Sequence, residues 1–355
     1  MPTIAQPQPT RVTIGVDTHG DRHVAAARDQ LGRPLGTTMV ATTPAGYRQL
    51  LGWALELGEP VAFGIEGTGS YGAGLTRYLR ASGQQVVEVN RPDRAARRRK
   101  GKSDPIDADA AARAVQAGDA TAIPKAGVGV VEMLRVLHLA RKTAVKARTQ
   151  TVNALRALLV TAPPELREQL RGLSKTMLPR AAAALEAGNI TSPATATMLA
   201  LASLGRRHGA LTAEIATLDG EIERLLDRFA RPLLDRVGIG PDSASALLAA
   251  AGDNPGRLRG EAAFAALCGT SPVEASSGKT VRHRLNRGGD RQANAALYRI
   301  VIVRLRWHQP TREYMARRIA EGKTKTEAIR CLKRYVAREV FAVLNTLAFD
   351  LASAA

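Results

Sequence analysis

The first part of the chain alternates between short apolar runs and segments with helical spacing. Apolar runs bounded by turn residues predict strands over 12–20, 23–30, 34–43, 61–67 and 84–90. Apolar residues at helical spacing predict intervening helices over 44–58, 71–83 and 107–118. The resulting order, β-β-β-α-β-α-β-α, is typical of an α/β layer structure.

The remainder of the chain is predicted to be mostly α-helical. A linker over 119–129 precedes a basic helical stretch over 130–160, and a second long helix falls within 193–230. Paired long helices favour a coiled-coil or dimerisation arm, and an ordinary helical bundle is the alternative. Residues 261–355 are also predicted helical, with helices starting near Arg291, Thr311 and Lys323, except for a loop over 269–290 rich in Ser, Gly, Arg and Lys.

The stretch 233–252 predicts a helix, the turn GIGP, and a second helix. Gly238 and Gly240 flank one apolar residue, which is typical of a tight hairpin whose backbone N–H groups lie at a helix N-terminus. This helix-hairpin-helix pattern binds phosphate in many DNA-binding proteins. A plain corner between two helices is the alternative.

Composition narrows the class of partner. The 355 residues include 51 Lys and Arg against 32 Asp and Glu, a formal net charge of +19, which favours a polyanionic partner. Nucleic acid is the first candidate and a membrane surface the rival, but no run approaches the ~18 apolar residues of a membrane span. Aromatic residues are only 4%, so phosphate contacts are favoured over base stacking as the main binding mode.

The start of the chain and its cysteines bear on location. Residues 1–11 have neither a basic start nor an apolar run, so we expect a short disordered tail and not a secretory signal. The two cysteines, Cys268 and Cys331, lie far apart in sequence and favour a reducing compartment.

Four carboxylates lie where a sheet and a helix could bring them together. Asp17 and Glu66 end apolar strands, and Asp104 and Asp107 share a face at a helix start. A carboxylate in an apolar strand is costly unless it is paired or binds metal. No histidine falls in a Cys/His zinc spacing, so the expected cofactor is Mg²⁺, or Mn²⁺, held by oxygen. Two such ions could carry out phosphodiester chemistry.

A basic block adjoins these acids and is predicted to hold the phosphate strand above them; its members are Arg97, Arg98, Arg99, Lys100 and Lys102. Structural alternatives exist for single residues: Asp104 or Asp107 could cap a helix, and Asp17 could accept turn hydrogen bonds. Asp109 is predicted to be a solvated helix residue. Either His19 or His23 could contact substrate, but a surface role is favoured for both.

Several motifs follow one another along the chain: GVDTHGDRHVAA, GIEGTGSYG, KSDPIDADAAARA, GIGPDSASALLAAAGD, FAALCGTSP and ASSGKTVRHRLNRGG. In this order they resemble the insertion-sequence-110 family of bacterial transposases. The resemblance spans about 12–348. It implies an N-terminal RuvC-like domain of ribonuclease-H fold with a DEDD carboxylate set, a helical arm, and a C-terminal transposase domain with an essential serine.

Carried over residue by residue, the DEDD set falls on Asp17, Glu66, Asp104 and Asp107. The serine falls on Ser277, with Ser276 as the one-residue alternative. Without the resemblance, a flexible Ser-Gly loop is the favoured interpretation of this pair. A serine hydroxyl attacking phosphorus would conserve the bond energy as an ester, which strand exchange needs.

The serine hydroxyl is weak at neutral pH, so a metal or a nearby carboxylate must activate it. The loop contains no evident base except Glu274 or His283. This fits a composite site, with the serine supplied by one domain and Mg²⁺ by the other. Lys279, Arg282 and Arg284 are predicted to neutralise the phosphate.

The resemblance implies a DNA recombinase directed by a structured guide RNA from the element, acting on element ends and target DNA. The expected location is cytoplasmic and nucleoid-associated, without a membrane, and the expected state is a homo-oligomer, dimer or tetramer, formed through the arm. The predicted domains are a tail (1–11), the RuvC-like domain (12–125), the arm (126–230) and the transposase domain (231–350). The rivals are a RuvC-like hydrolytic nuclease and a non-catalytic nucleic-acid-binding protein.

Overall fold

The computed structural model describes residues 10–89, 103–254, 256–279 and 283–353, with side chains described up to 347. The chain forms two compact units. The first contains residues up to Gly129 together with Ala251–Arg259, and the second contains Val130–Ala250 and Gly260 onward. The predicted basic block, Arg97 to Lys102, and Arg282 lie outside the described residues. The predicted domain boundaries stay predictions.

The first unit is a five-stranded mixed sheet with helices. Its elements are β1 (Arg11–Thr18), β2 (Arg22–Asp29), β3 (Pro34–Ala41), α1 (Pro44–Leu57), β4 (Glu59–Glu66), α2 (Ala73–Ala81), β5 (Val86–Val89) and α3 (Asp104–Gln116). The strand order is β3-β2-β1-β4-β5, with β1 antiparallel to β2 and parallel to β4. The predicted order of strands and helices, and the mixed α/β class, are confirmed.

The apolar alternation of the strands builds the core of this unit. Val12, Ile14 and Val16 of the central strand β1 are fully buried beside Phe63 and Ile65 of β4. Such a position needs an apolar strand because both faces of the sheet are covered by helices. Asp17, the last residue but one of β1, therefore follows directly on a buried strand.

Helix α3 lies in a shallow groove made by two glycines. Gly15 of β1 and Gly64 of β4 are side by side in register. The helix presents Ala108, Ala111 and Ala112 to them, all buried. Missing side chains on the strands and small ones on the helix allow a close approach of backbones. The helix begins at Asp104, three residues before the predicted start, with Pro105 in its first turn, where proline is well tolerated.

The predicted linker over 119–129 is held by hydrogen bonds within the first unit. Asn254 accepts from the amide of Ala126 (3.1 Å) and donates to the carbonyl of Pro124 (3.2 Å). The Arg257 guanidinium donates to the carbonyl of Ile123 at 3.1 Å. Residues 251–259, more than 120 positions later in the chain, thus complete this unit.

The second unit is mostly helical. Its elements are α4 (Val130–Val160), α5 (Pro164–Leu170), α6 (Met177–Ala183), α7 (Pro193–Phe229), α8 (Arg231–Leu234), α9 (Pro241–Ala251), α10 (Glu261–Leu267), β6 (Val273–Glu274), β7 (His283–Arg284), α11 (Arg291–Trp307), α12 (Gln309–Ala320) and α13 (Lys325–Ser353). Of the helices in the described ranges, none is both long and apolar enough to cross a membrane.

The two long helices, α4 and α7, pack against each other in antiparallel fashion. Arg141 pairs with Asp219 near one end, and Leu155 shares a hydrophobic cluster with Leu201 near the other. The short helices α5 and α6 cover that second end with Leu166, Leu170 and Leu178. The predicted pairing of long helices is confirmed within one chain.

Candidate active site

Three carboxylates converge where β1 meets the start of α3. Asp17, at the end of β1, is 8% exposed, and Asp107, in the first turn of α3, is 4% exposed. Asp104 begins the same helix and is partly exposed. The glycine groove beneath α3 sets this proximity, because it allows the helix start to lie close to the strand end.

His19 completes this group. Its Nε2 lies 3.1 Å from Oδ2 of Asp17 and 3.5 Å from Oδ1 of Asp104. One ligand atom from each of Asp17, His19 and Asp104 can be chosen so that all lie within 4.8 Å of one another. The predicted surface role of His19 is thus incomplete, since its ring, although 42% exposed, faces two carboxylates. Its position two residues after Asp17 was the available sequence signal.

The charged groups of this cluster have opposing effects on the pKa of Asp17. Burial raises the pKa of the Asp17 carboxyl, His19 lowers it by charge and hydrogen bond, and the charges of Asp107 and Asp104 raise it again. The net direction of the pKa is upward, chiefly because burial penalises the charged carboxylate, with a smaller contribution from repulsion by Asp107 and Asp104. A divalent cation would relieve this repulsion. Two carboxylates and an imidazole form a donor set that fits such an ion.

Glu66 lies at the end of β4, the strand parallel to β1. The register pairs Val16 with Ile65, so Glu66 follows directly alongside Asp17. The Thr18 hydroxyl donates to the carbonyl of Glu66 at 2.8 Å and ties the two strand ends together. In the described part of the chain, the ligand atoms of Glu66 and Asp107 fall outside the 4.8 Å group. Of the four predicted acids, Asp17 and Asp104 thus belong to the group within 4.8 Å, and Glu66 and Asp107 lie beside it.

Two sequence interpretations near this site are wrong. Asp109 is not a solvated helix residue, because Arg28 donates to its two carboxylate oxygens at 2.6 and 3.1 Å and Arg113 lies at 2.8 Å. This pairing fastens α3 to β2 across 81 sequence positions, and the sequence contained no signal for it. His23 is fully buried and stacks on Tyr47, with ring centroids 5.9 Å apart, so it has no surface role.

The predicted serine lies in the second unit, at the tip of a two-stranded hairpin. We call β6, β7 and the tip residues 275–279 the serine hairpin. Ser276, Ser277 and Lys279 are exposed there. Glu274 of β6 pairs directly with His283 of β7, so the two candidate bases face the same side of the hairpin. Arg284 is exposed on β7.

The GIGP turn is packed against α11. Gly238 has φ +80°, and a Cβ there would lie 3.2 Å from the carbonyl oxygen of Ile300, so the turn needs glycine. Gly240 is exposed. The helix before the turn is only four residues long, so a helix-hairpin-helix motif stays a prediction. Asp242, in the first turn of α9, already has cationic partners there, and its pKa is lowered by the His138 hydrogen bond and by Arg299.

Comparison with known proteins agrees with these features. Residues 14–164 match the family model of DEDD-type IS110 transposases, described as a transposase. Residues 230–316 match the model of the transposase IS116/IS110/IS902 family. The first match covers the carboxylates and α3, and the second covers the GIGP turn and the serine hairpin.

One relative is an uncharacterized 43.6 kDa protein of insertion element IS110 from Streptomyces coelicolor. It is 29% identical over 166 residues, which are 46% of this chain and 41% of that protein. The matched region thus spans about two fifths of the relative's length. Since the two family models cover both the acidic and the serine-bearing parts in order, the chain belongs to the IS110 family of transposases.

Proposed function

We propose that this protein is a DNA recombinase that cleaves and exchanges strands with the help of divalent cations, Mg²⁺ or Mn²⁺. The observation that carries this proposal is the group of Asp17, His19 and Asp104, with ligand atoms within 4.8 Å. The sheet has the order β3-β2-β1-β4-β5. The pairs among β1, β2 and β3 are antiparallel, whereas β4 is parallel to β1 and to β5. This arrangement supports a ribonuclease-H-like fold for the first unit.

Asp17 and Asp104 would hold the cation, with Glu66 and Asp107 beside them. Two bound cations could activate an attacking oxygen and stabilise a leaving one. The side chains of this cluster supply the negative charge that binds such ions. His19, with a nitrogen donor, adds a ligand that Mn²⁺ accepts more readily than Mg²⁺ does.

We further propose that Ser277 forms a transient ester with DNA. Its Oγ bonds to phosphorus while the phosphorus–oxygen bond to one strand end breaks. The hydroxyl proton passes to a base, for which Glu274 or His283 is the nearest candidate. A proton returned by that base to the departing oxygen lets the strand end leave as a hydroxyl. Attack by a hydroxyl of a second strand then joins the new strands and returns the serine to its free form, so no bond energy is lost to water. Lys279, Arg282 and Arg284 would neutralise the phosphate, as would the basic block from Arg97 to Lys102.

The partners belong to the same proposal: element-end and target DNA, a structured guide RNA from the element, and further copies of this chain in a dimer or tetramer. A cytoplasmic, nucleoid-associated location follows from such partners. Gly238 and Gly240 would contact phosphate through the backbone amides of the GIGP turn.

A hydrolytic nuclease is the second candidate, and one observation favours it. The carboxylates and His19 all belong to the first unit, whereas the serine belongs to the second. The first unit could thus cleave with cation and water alone, leaving no covalent intermediate.

The deciding experiment is a denaturing gel that detects protein covalently attached to DNA. Wild type is incubated with Mg²⁺, element-end DNA and its flanking RNA, beside Ser277→Ala, Ser276→Ala and Asp17→Ala. We expect an adduct in wild type and Ser276→Ala and none in the other two. Cleavage without an adduct, retained in Ser277→Ala, would refute the serine mechanism and leave the hydrolytic nuclease.

A further inference from the structure

A cleft of about 550 Å³ opens beside the serine hairpin within the second unit. One wall is β7 with His283 and Arg284, and the others are α12 and α13. We call it the basic cleft, and its cationic lining residues include Arg284, Arg317, Arg318, Arg330, Lys333 and Arg334. A concave surface of one charge sign concentrates counter-charge more effectively than a flat one.

The carboxylates near the basic cleft neutralise only part of its positive charge. Glu321 pairs with Arg318 and, at 3.8 Å, with Arg317; Glu261 pairs with Arg334. For Arg284, Arg330 and Lys333, no carboxylate of the described residues lies within ion-pair distance. Three cations that form no ion pair with a described carboxylate therefore line one opening, although the charge of Arg330 still acts on Glu327.

Lys333 is the most constrained of these cations. Its ammonium donates to the side-chain carbonyl of Asn294 at 2.9 Å, a neutral partner. Burial, and then the neighbouring charge of Arg330, lower its pKa. A partly buried lysine beside an arginine, without a carboxylate, is costly unless an anionic ligand binds there.

The shape indicates an extended ligand. A second hollow of about 500 Å³ shares Arg330, Lys333 and Asn286 with the basic cleft and continues past Arg287 and Arg291. Each hollow is in the size range of a pocket for one small molecule, so the pair suits a few linked units of a single strand better than a duplex. A lone anion would leave most of this space empty.

The cleft also offers a surface for bases. Tyr314 and Tyr335 meet edge to face with centroids 5.4 Å apart, and Tyr335 is 51% exposed. Arg317 and Arg338 lie over their rings at 5.3 and 5.9 Å. Aromatic rings flanked by arginines are typical of sites that bind unpaired nucleic acid, since bases stack there while phosphates meet the cations. These tyrosines are a local exception to the low aromatic content of the chain.

We propose that the basic cleft binds an unpaired DNA strand and holds it next to the serine hairpin. Arg330 and Lys333 would contact consecutive phosphates, and Tyr335 would stack on a base. This inference rests on the proposed function in so far as DNA is the substrate, but it requires neither metal ions nor the serine chemistry.

The test is direct binding of fluorescein-labelled ten-nucleotide oligomers to the full-length protein, followed by anisotropy without divalent metal. The probes are a thymidine DNA oligomer, a uridine RNA oligomer and a DNA duplex of equal length. The variant is Arg330→Gln with Lys333→Gln. The charge-matched control is Arg206→Gln with Arg207→Gln, two exposed residues of α7.

We expect the cleft variant to bind the DNA oligomer at least tenfold more weakly and the control to bind it within twofold of wild type. Losing two phosphate contacts should also flatten the slope of log affinity against log salt by about 1.4. A thymidine oligomer carrying one 5-iododeoxyuridine should crosslink to Tyr335 under near-ultraviolet light.

Three results would each overturn the inference: equal losses in variant and control, unchanged binding in the variant, or a loss in the variant that is as large for duplex or RNA as for single-stranded DNA. A parallel cleavage assay with metal separates this outcome from failure of the proposed function. Asp17→Ala should keep oligomer binding while losing cleavage. If Asp17→Ala and wild type behave as expected in cleavage but the oligomer does not bind in the cleft, only the proposal of DNA binding in the cleft is refuted.

Discussion

The glycine groove beneath α3 provides a sharp test of how the acidic site is built. In Gly15→Ala, the new Cβ would lie far inside van der Waals distance of the carbonyl oxygen of Ala108 and the amide nitrogen of Ala112, and 3.0 Å from the Cα of Ala112. All three atoms belong to the backbone, so no side-chain rotation can relieve the contact. Helix α3 would have to retreat by about 1.5–2 Å to reach ordinary separations near 3.5–4 Å.

This displacement should cost both stability and site geometry. Overpacking of this kind costs about 1–3 kcal/mol, and backbone contacts put Gly15→Ala near the upper end, about 3 kcal/mol. Asp104 and Asp107 move with α3, whereas Asp17 stays on β1. A misplacement of about 1 Å in a catalytic constellation can lower activity about 100-fold. We expect a comparable loss of cleavage and at least tenfold weaker Mn²⁺ binding.

The assay is urea unfolding followed by circular dichroism, with Mn²⁺ binding measured by calorimetry on the same samples. Gly52→Ala is the matched control. Gly52 lies inside α1, where a Cβ would meet nothing within 4 Å. Because alanine is favoured over glycine in a helix interior, this control should gain about 0.5–1 kcal/mol.

A Gly15→Ala protein that unfolds at the wild-type urea concentration would refute the groove as the cause of the close approach. So would a variant that loses stability but binds Mn²⁺ with wild-type affinity, because α3 would then have moved without displacing its acids.

Other predictions follow from the same region. Asp17→Asn should stabilise the metal-free protein near pH 7. The pKa of Asp17 in the folded protein is raised above its ordinary value of 3.8. Wild-type stability therefore falls as the pH rises from 3.8 through the folded pKa, because the charged carboxylate is disfavoured in the folded state. The gain should vanish below pH 3.8, and urea midpoints across pH would show it. Asp109→Ala should lower the free energy of unfolding by about 2 kcal/mol, because the Arg28 side chain, only 10% exposed, then lacks its carboxylate partner. The double variant Arg28→Met with Asp109→Leu should recover part of this stability, and thermal melts that show no recovery would contradict the prediction. His19→Ala should weaken Mn²⁺ binding more than Mg²⁺ binding, measured by competition, and equal weakening would argue against coordination through Nε2.

The order of elements in the first unit could be predicted because its strands and helices carry distinct apolar periods. Asp17 and Glu66 were readable as strand-end acids, since a carboxylate that ends an apolar run stands out against the pattern. Their adjacency follows from β1 and β4 being parallel neighbours, which alternation with helices favours.

The remaining site features depend on contacts that no local pattern encodes. The pair Arg28–Asp109 joins residues 81 positions apart, and each looks like an ordinary solvated charge in sequence. The groove of Gly15 and Gly64 exists only once the register of β1 and β4 is known. The basic cleft brings β7, α12 and α13 together, so its excess charge was hidden within the general basicity of the chain.

The hydrogen bonds of Asn254 and Arg257 to residues 123–126 have a consequence for biosynthesis. When the ribosome has produced residue 129, the sheet is present but the carbonyls of Ile123 and Pro124 still lack these donors. About 120 further residues, the whole α4–α7 hairpin included, must emerge before 251–259 can close the unit. Closure between such distant segments is slow compared with local helix formation. A fragment ending at Gly129 would carry every predicted carboxylate yet lack the hydrogen bonds from residues 251–259. A fragment for separate study should therefore include 251–259, joined by a short linker.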